Sequence, residues 1–156
     1  MRVRVVLVGR DRNDPLIEAS EVYLDRARHT FPVEVVEVKE APLKKGASVQ
    51  RVKAEEAERI KKVLEPGELV IVMDERGKGL TSVQVSQKFD RWMQEGLRSV
   101  AFVIGGPSGL HPDFMKQARE RWALSTMTLP HRMARLILCE QIYRAVSILR
   151  GEPYHK

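Results

Sequence analysis

Three short breaks in the sequence carry residue types that can meet a ligand with bare backbone. The apolar run Phe102–Ile104 stops at Gly105-Gly106-Pro107-Ser108-Gly109. Glycines and a proline packed so closely mean a sharp turn, or the close approach of something to the main chain. The second break, Ser125–Pro130 (Ser-Thr-Met-Thr-Leu-Pro), combines small hydroxyl and apolar residues and has no charge. The third is Asp74–Gly79. A phosphate cradle is one reading of the glycine loop. A dinucleotide loop needs G-x-G-x-x-G and a P-loop needs Gly-Lys-Ser/Thr, and neither is present. Pro107 also removes an N–H that a phosphate nest would use. Two readings remain: a plain strand-to-helix turn, or an uncharged or cationic ligand pressed against the backbone. The Ser125–Pro130 segment suits the second, since its N–H and C=O groups can meet a purine edge while apolar side chains pack the faces.

Other chemistry-bearing residues are scattered. His29, His111, His131 and His155 share no metal-ligand spacing, and no carboxylate cluster accompanies them, so no metal is expected. His131 follows Pro130 at a helix start, where capping is its expected role. Cys139 is the only cysteine; it lies among apolar residues as a core filler, and no disulfide is possible. No Ser-His-Asp or Cys-His set emerges. The tail is different. Tyr154 and His155 stand side by side where a chain end is usually frayed, and both can stack on a base or hydrogen-bond it. Arg132, Arg135 and Arg144 are candidates for phosphate, although Arg144 follows Glu140 by one helical turn and an intrahelical ion pair would also explain it.

The elements that must position these residues alternate. Strands are expected at Arg2–Gly9, Val33–Glu40, Glu68–Asp74, Ser99–Gly106 and Trp122–Leu129. Asp14 and Pro15 open a helix to about Arg28; Ser48 caps a charged helix over Val49–Leu64 after the basic loop Ala41–Ser48. Thr81 and Gln84 fit a capping box before Val85, Phe89 and Trp92, which recur at helical spacing. A helix is expected at His111–Arg121 and a long one from about His131 to Arg150. This order argues an α/β fold, a single domain over residues 1–156 with a largely parallel sheet flanked by helices. Ligands in such sheets bind beyond the carboxyl ends of strands, and all three breaks lie at such ends. On the last helix, Leu138, Ile142, Ala145 and Leu149 form one apolar stripe, and Met133, Ile137 and Ile148 mark another. Two stripes need two partners: a helix wholly buried in one domain, or a homodimer.

Composition narrows the partners. The net charge is +6, and 17 of the 27 basic residues are arginine, whose planar fork suits phosphates and bases. No apolar run is long enough for a membrane span, and the start "MRVRVVLVG" lacks a cleavage site. A soluble cytoplasmic protein with a nucleic-acid partner is expected. Aromatics are only 6%, which argues against a base-stacking RNA module.

"VIGGPSGL", "STMTLPHRMARLILCEQIYRA" and the tail "GEPYHK" together resemble the RlmH family, ribosomal large-subunit pseudouridine methyltransferases of the knotted SPOUT class. The resemblance runs the whole chain. It implies a C-terminal trefoil knot, which periodicity does not show. It implies S-adenosyl-L-methionine as cofactor, contacted by Met73, Gly105, Gly106, Leu124, Ser125, Thr126, Met127, Thr128 and Leu129. The family commonly has Leu where this chain has Met73, a residue of similar size. It implies a homodimer in which one subunit's arginines and tail complete the other's site. Its reaction would be methylation of N3 of a pseudouridine in 23S ribosomal RNA, within the large subunit or the assembled ribosome, with Arg144, Tyr154 and His155 as catalytic residues, the tail acting by stacking, by hydrogen bonding or, through His155, by taking the imide proton. The alternatives are a noncatalytic RNA-binding or ribosome-assembly factor with this fold, and a SPOUT methyltransferase acting on transfer RNA.

Overall fold

The computed structural model describes residues 1–9, 13–43, 46 and 48–156. The strands are β1 (Arg2–Val8), β2 (Val33–Val38), β3 (Leu69–Gly79), β4 (Ser99–Ile104) and β5 (Glu120–Ala123). The helices are α1 (Pro15–Arg28), α2 (Val49–Val63), α3 (Ser82–Gln94), α4 (Pro112–Gln117) and α5 (His131–Leu149). The strands form one sheet in the order β2-β1-β4-β3-β5. Every neighbouring pair runs parallel.

Local chemistry starts the helices where the sequence places them. Asp14 accepts from Leu16 N–H ahead of Pro15, and Ser48 accepts from Arg51 N–H. Thr81 and Gln84 form the reciprocal capping box. Caps of this kind contribute about 1 kcal/mol each. Of the expected basic loop Ala41–Ser48, Lys44, Lys45 and Ala47 lie outside the described residues.

Alternate residues of each central strand feed opposite layers. Val3, Val5, Leu7, Phe102 and Ile104 join one core with Phe89, Trp92 and Trp122. Val6, Val8, Val72, Ala101 and Val103 join the other with Ala57, Ile60 and Phe114. All of β4 is therefore buried, and its continuous apolar run is what a strand covered on both faces requires. The polar exception on β1 is Arg4, buried with its guanidinium on Glu68 at 2.8 Å, Glu34 at 3.1 Å and the Val63 carbonyl. A buried cation is tolerable only when its donors are matched in this way.

Two expected elements are redrawn. The helix expected over His111–Arg121 ends at Gln117, because Arg119 N–H donates to the Val70 carbonyl and Glu120 already pairs with Ile71. The strand expected over Trp122–Leu129 is Glu120–Ala123; the rest is the loop. β3 also runs past its expected end at Asp74 to Gly79, with Asp74–Gly77 bulged between Met73 and Lys78, both opposite Trp122.

Helix α5 lies between α1 and α3. Leu138, Ile142 and Ala145 are at most 3% exposed within this one chain, so that stripe packs on its own core. Met133 stays 37% exposed, with Ile137 and Ile148 half-buried beside it. Cys139 is wholly buried, and burial pushes its thiol up to about 12. Leu138→Ala is expected to cost about 2–5 kcal/mol of stability, read from urea unfolding, and not to act through any interface. An unchanged unfolding midpoint would place Leu138 outside the core.

Candidate active site

A parallel sheet puts every strand's carboxyl end on the same edge. The ends of β3, β4 and β5 therefore bring the three breaks together around a cavity of about 740 Å³. The start of α5 closes one side through Pro130, His131 and Ala134, and α2 contributes Lys53. Met73, Gly105, Gly106, Leu124, Ser125, Met127, Thr128 and Leu129 all line it. Thr126 is exposed and does not.

The glycine loop closes on the protein itself. Gly109 N–H donates to the Gly106 carbonyl at 2.8 Å. A Cβ on Gly105 would stand 2.9 Å from Leu110 Cγ, and one on Gly106 3.0 Å from Val8 Cγ1. The turn reading thus accounts for these glycines on one side of the backbone, while the same residues line the cavity on the other. Gly77 is held still more tightly: its Cβ would lie 2.6 Å from the Trp122 carbonyl carbon, so the β3 bulge is clamped on β5. Across the mouth, Thr128 Oγ1 donates to Glu75 Oε2 at 2.6 Å and ties two of the breaks together.

Sequence reasoning missed Glu56. It is 2% exposed on α2; Oε1 accepts from Ala41 N–H at 3.0 Å, and Oε2 has no hydrogen-bond partner among the described residues. Its carboxylate packs under Gly106, where an added Cβ would be 3.2 Å from Oε2. Burial pushes its carboxyl up from the usual range, partly offset by the Ala41 N–H. Nothing in "AEEAER" distinguishes it from its solvated neighbours.

The tail is ordered against α5. Arg144 donates to Glu140 Oε1 through Nε at 2.8 Å and Nη2 at 2.5 Å. The Tyr154 hydroxyl donates to the same oxygen at 3.1 Å, and its ring packs on Tyr143 with centroids 4.7 Å apart. The Arg144 guanidinium covers the Tyr154 ring at 4.6 Å, with Nη1 3.3 Å from His155 Nδ1. Burial, then hydrogen bonds to Tyr23 and Glu140, push the Tyr154 phenol up. His155 lines a second cavity of about 490 Å³ between α3, β5 and α5, which adjoins the first at Met73 and Leu124. The structure thus gathers Arg144, Tyr154 and His155 into one cluster but leaves it outside the glycine-loop cavity. Glu140 lies roughly 14 Å along the helix axis from His131.

Two readings change, those of Arg135 and His131. Arg135 is 6% exposed and bridges Glu21 and Glu37, each at 3.0 Å, so it is withdrawn from any RNA surface. Arg132 pairs with Asp14 at 2.6 Å. His131 is not the cap: Pro130 occupies that position without a side-chain hydrogen bond. His111 caps α4, accepting from Asp113 N–H.

The chain matches the family described as "Predicted SPOUT methyltransferase" over residues 1–155. It belongs to the SPOUT methyltransferase family. It is 51% identical to the "Ribosomal RNA large subunit methyltransferase H" of Anaeromyxobacter sp. (strain Fw109-5), over 100% of both chains. It is 41% identical to the protein of that name from Dechloromonas aromatica (strain RCB), over 100% of this chain and 99% of that one. The fold is shared with "Crystal Structure of Probable Methyltransferase from Bordetella pertussis Tohama I", at TM-score 0.59 and 12% identity, covering 93% of this chain and 96% of that one. A probable methylase family protein from Haemophilus influenzae Rd KW20 matches at TM-score 0.55 and 14% identity, over 99% of this chain and 70% of the other.

SPOUT methyltransferases use S-adenosylmethionine, and the cavity suits it. Its volume lies within the range of small-molecule sites. The glycine loop, Leu124, Ser125 and Met127–Leu129 line it, with Met73, Leu124 and Leu129 as apolar packing. Lys53, Asp74 and Glu75 offer both signs of charge to a zwitterionic amino-acid end. No helix is long and apolar enough to cross a membrane, and no group of His, Cys, Asp or Glu able to hold a metal occurs among the described residues.

The buried Glu56 gives this SPOUT fold a pH signature. A carboxyl raised in the folded state binds more protons folded than unfolded. Stability is therefore lost as pH rises from the ordinary carboxylate range through the folded value. Glu56→Gln is expected to raise the melting temperature at pH 8, with the gain shrinking toward pH 4. A gain that grows toward acid would contradict the burial argument.

Proposed function

We propose that this protein methylates N3 of a pseudouridine in 23S ribosomal RNA of the large subunit, as a cytoplasmic homodimer. The observation that carries the reading is the full-length similarity to the two methyltransferases H, joined to a strand-end cavity lined by all but Thr126 of the residues the family motif assigns to S-adenosylmethionine. The whole chain acts as one domain, with the C-terminal segment threaded as the family's trefoil knot. A noncatalytic assembly factor would have no need of the cofactor cavity, and nothing in the chain favours transfer RNA.

Bound S-adenosylmethionine supplies an electrophilic methyl group. The chain's own residues then have two tasks: to hold the target ring in line, and to favour loss of its imide proton. Tyr154, with a phenol that stays protonated, acts by stacking and hydrogen bonding. Arg144 supplies positive charge beside the ring that ionises. The gap between the tail cluster and the glycine-loop cavity supports a dimer in which one subunit's tail completes the other's site. Val83, Met133 and Ile137 form the apolar surface such a partner would cover, beside the second cavity.

Millimolar S-adenosylmethionine is expected to raise the melting temperature, and ATP and NAD are not. Ligand at 100 times its Kd adds about 2.7 kcal/mol. No shift would sink the cofactor assignment. Ile137→Glu is expected to shift the protein to monomer in sedimentation with its fold retained; a dimer that persists would place the interface elsewhere.

A further inference from the structure

The cluster that ends the chain has a single hub, and the hub is none of the three residues assigned to the reaction. Glu140 Oε1 accepts from Arg144 Nε, Arg144 Nη2 and the Tyr154 hydroxyl, and Oε2 accepts from Gln141 Nε2 at 2.6 Å. Gln141 in turn accepts from Ser82 Oγ at 2.7 Å, in the first turn of α3. The carboxylate side chain is only 17% exposed. Two forked donors from one guanidinium leave Arg144 little freedom, and charge-assisted bonds of this kind are the strong ones.

The consequence passes on to His155. Arg144 Nη1 lies 3.3 Å from His155 Nδ1. A guanidinium has donors only, so the ring nitrogen facing it must accept. A neutral imidazole that accepts at Nδ1 carries its proton on Nε2. His155 therefore offers an N–H, not a lone pair, from its far nitrogen. Toward an imide, that is a donor to a ring carbonyl, where the negative charge collects once the proton is lost. It is the wrong tautomer to take that proton through Nε2.

We propose that Glu140 is a positioning residue: it holds Arg144 and Tyr154 in one arrangement and, through Arg144, fixes the neutral His155 ring as the Nε2–H donor. The proposal rests on the reading of the tail as facing the substrate. The test uses the full-length protein and its variants E140A and E140Q. Three quantities are measured: methylation of large ribosomal subunits, S-adenosylmethionine affinity by calorimetry, and the His155 tautomer by imidazole nitrogen NMR. In the unmodified protein the neutral His155 is expected to carry its proton on Nε2. In E140A the tautomers should mix and kcat should fall about tenfold, equal to about 1.4 kcal/mol, while cofactor affinity holds. E140Q keeps an acceptor for Tyr154 and should recover part of the rate. A neutral His155 protonated on Nδ1, or an E140A variant with full kcat and an unchanged tautomer, overturns the proposal. H155A separates the two readings. If it methylates at full rate while E140A behaves as expected, His155 leaves the reaction and Glu140's hold on Arg144 stands.

Discussion

The parallel pairing of β3 with both β4 and β5 is the constraint on which the site depends. Parallel strands end on one edge, so three loops far apart in sequence meet there. That pairing requires cover on both faces, because a parallel sheet cannot leave one side to water. The cover dictates the rest: α1, α3 and α5 on one side, α2 and α4 on the other, with aromatic side chains from α3, β4 and β5 stacked in the first layer. The phenylalanines and tryptophans lie in the core, in keeping with a protein that does not read RNA by stacking along an exposed sheet.

Glycine serves this architecture by permitting contact between backbones. At Gly77 a side chain would strike β5, and at Gly105 and Gly106 it would strike Leu110, Val8 or Glu56. The loops are thereby held close to the sheet edge, where they line the cavity. The uncharged character of Ser125–Pro130 then matters: hydroxyl and apolar residues, not phosphate-binding cations, line that part of the cavity.

Two buried or half-buried carboxylates near the sites, Glu56 and Glu140, do different work. Glu56 braces the glycine loop from beneath and remains incompletely satisfied, a cost to stability that burial makes visible in its raised pKa. Glu140 is saturated with donors and organises the tail. Their contrast follows from location. One lies beneath the glycine loop and accepts a single N–H, from Ala41 after β2, and the other lies on a helix surface where long side chains can reach it.

The sequence by itself determined the α/β class, the strand-end position of two of the three breaks and most helix starts, since these rest on local periodicity and capping; the break Asp74–Gly79 lies as a bulge within β3. Asp14, Ser48 and Thr81 cap where their side chains can reach the backbone a few residues on, whatever the rest of the chain does. The full-length motif resemblance carried the family. Tertiary structure alone decided the fates of residues whose partners are distant. Arg135 is drawn from the surface by Glu21 and Glu37, which lie 114 and 98 residues away. Leu138 belongs to its own core because α5 sinks between α1 and α3. β5 begins early because Val70 claims Arg119. Glu56 is buried because the glycine loop folds over α2. Pattern along the chain records which face of an element is apolar, but only packing decides what comes to lie against it.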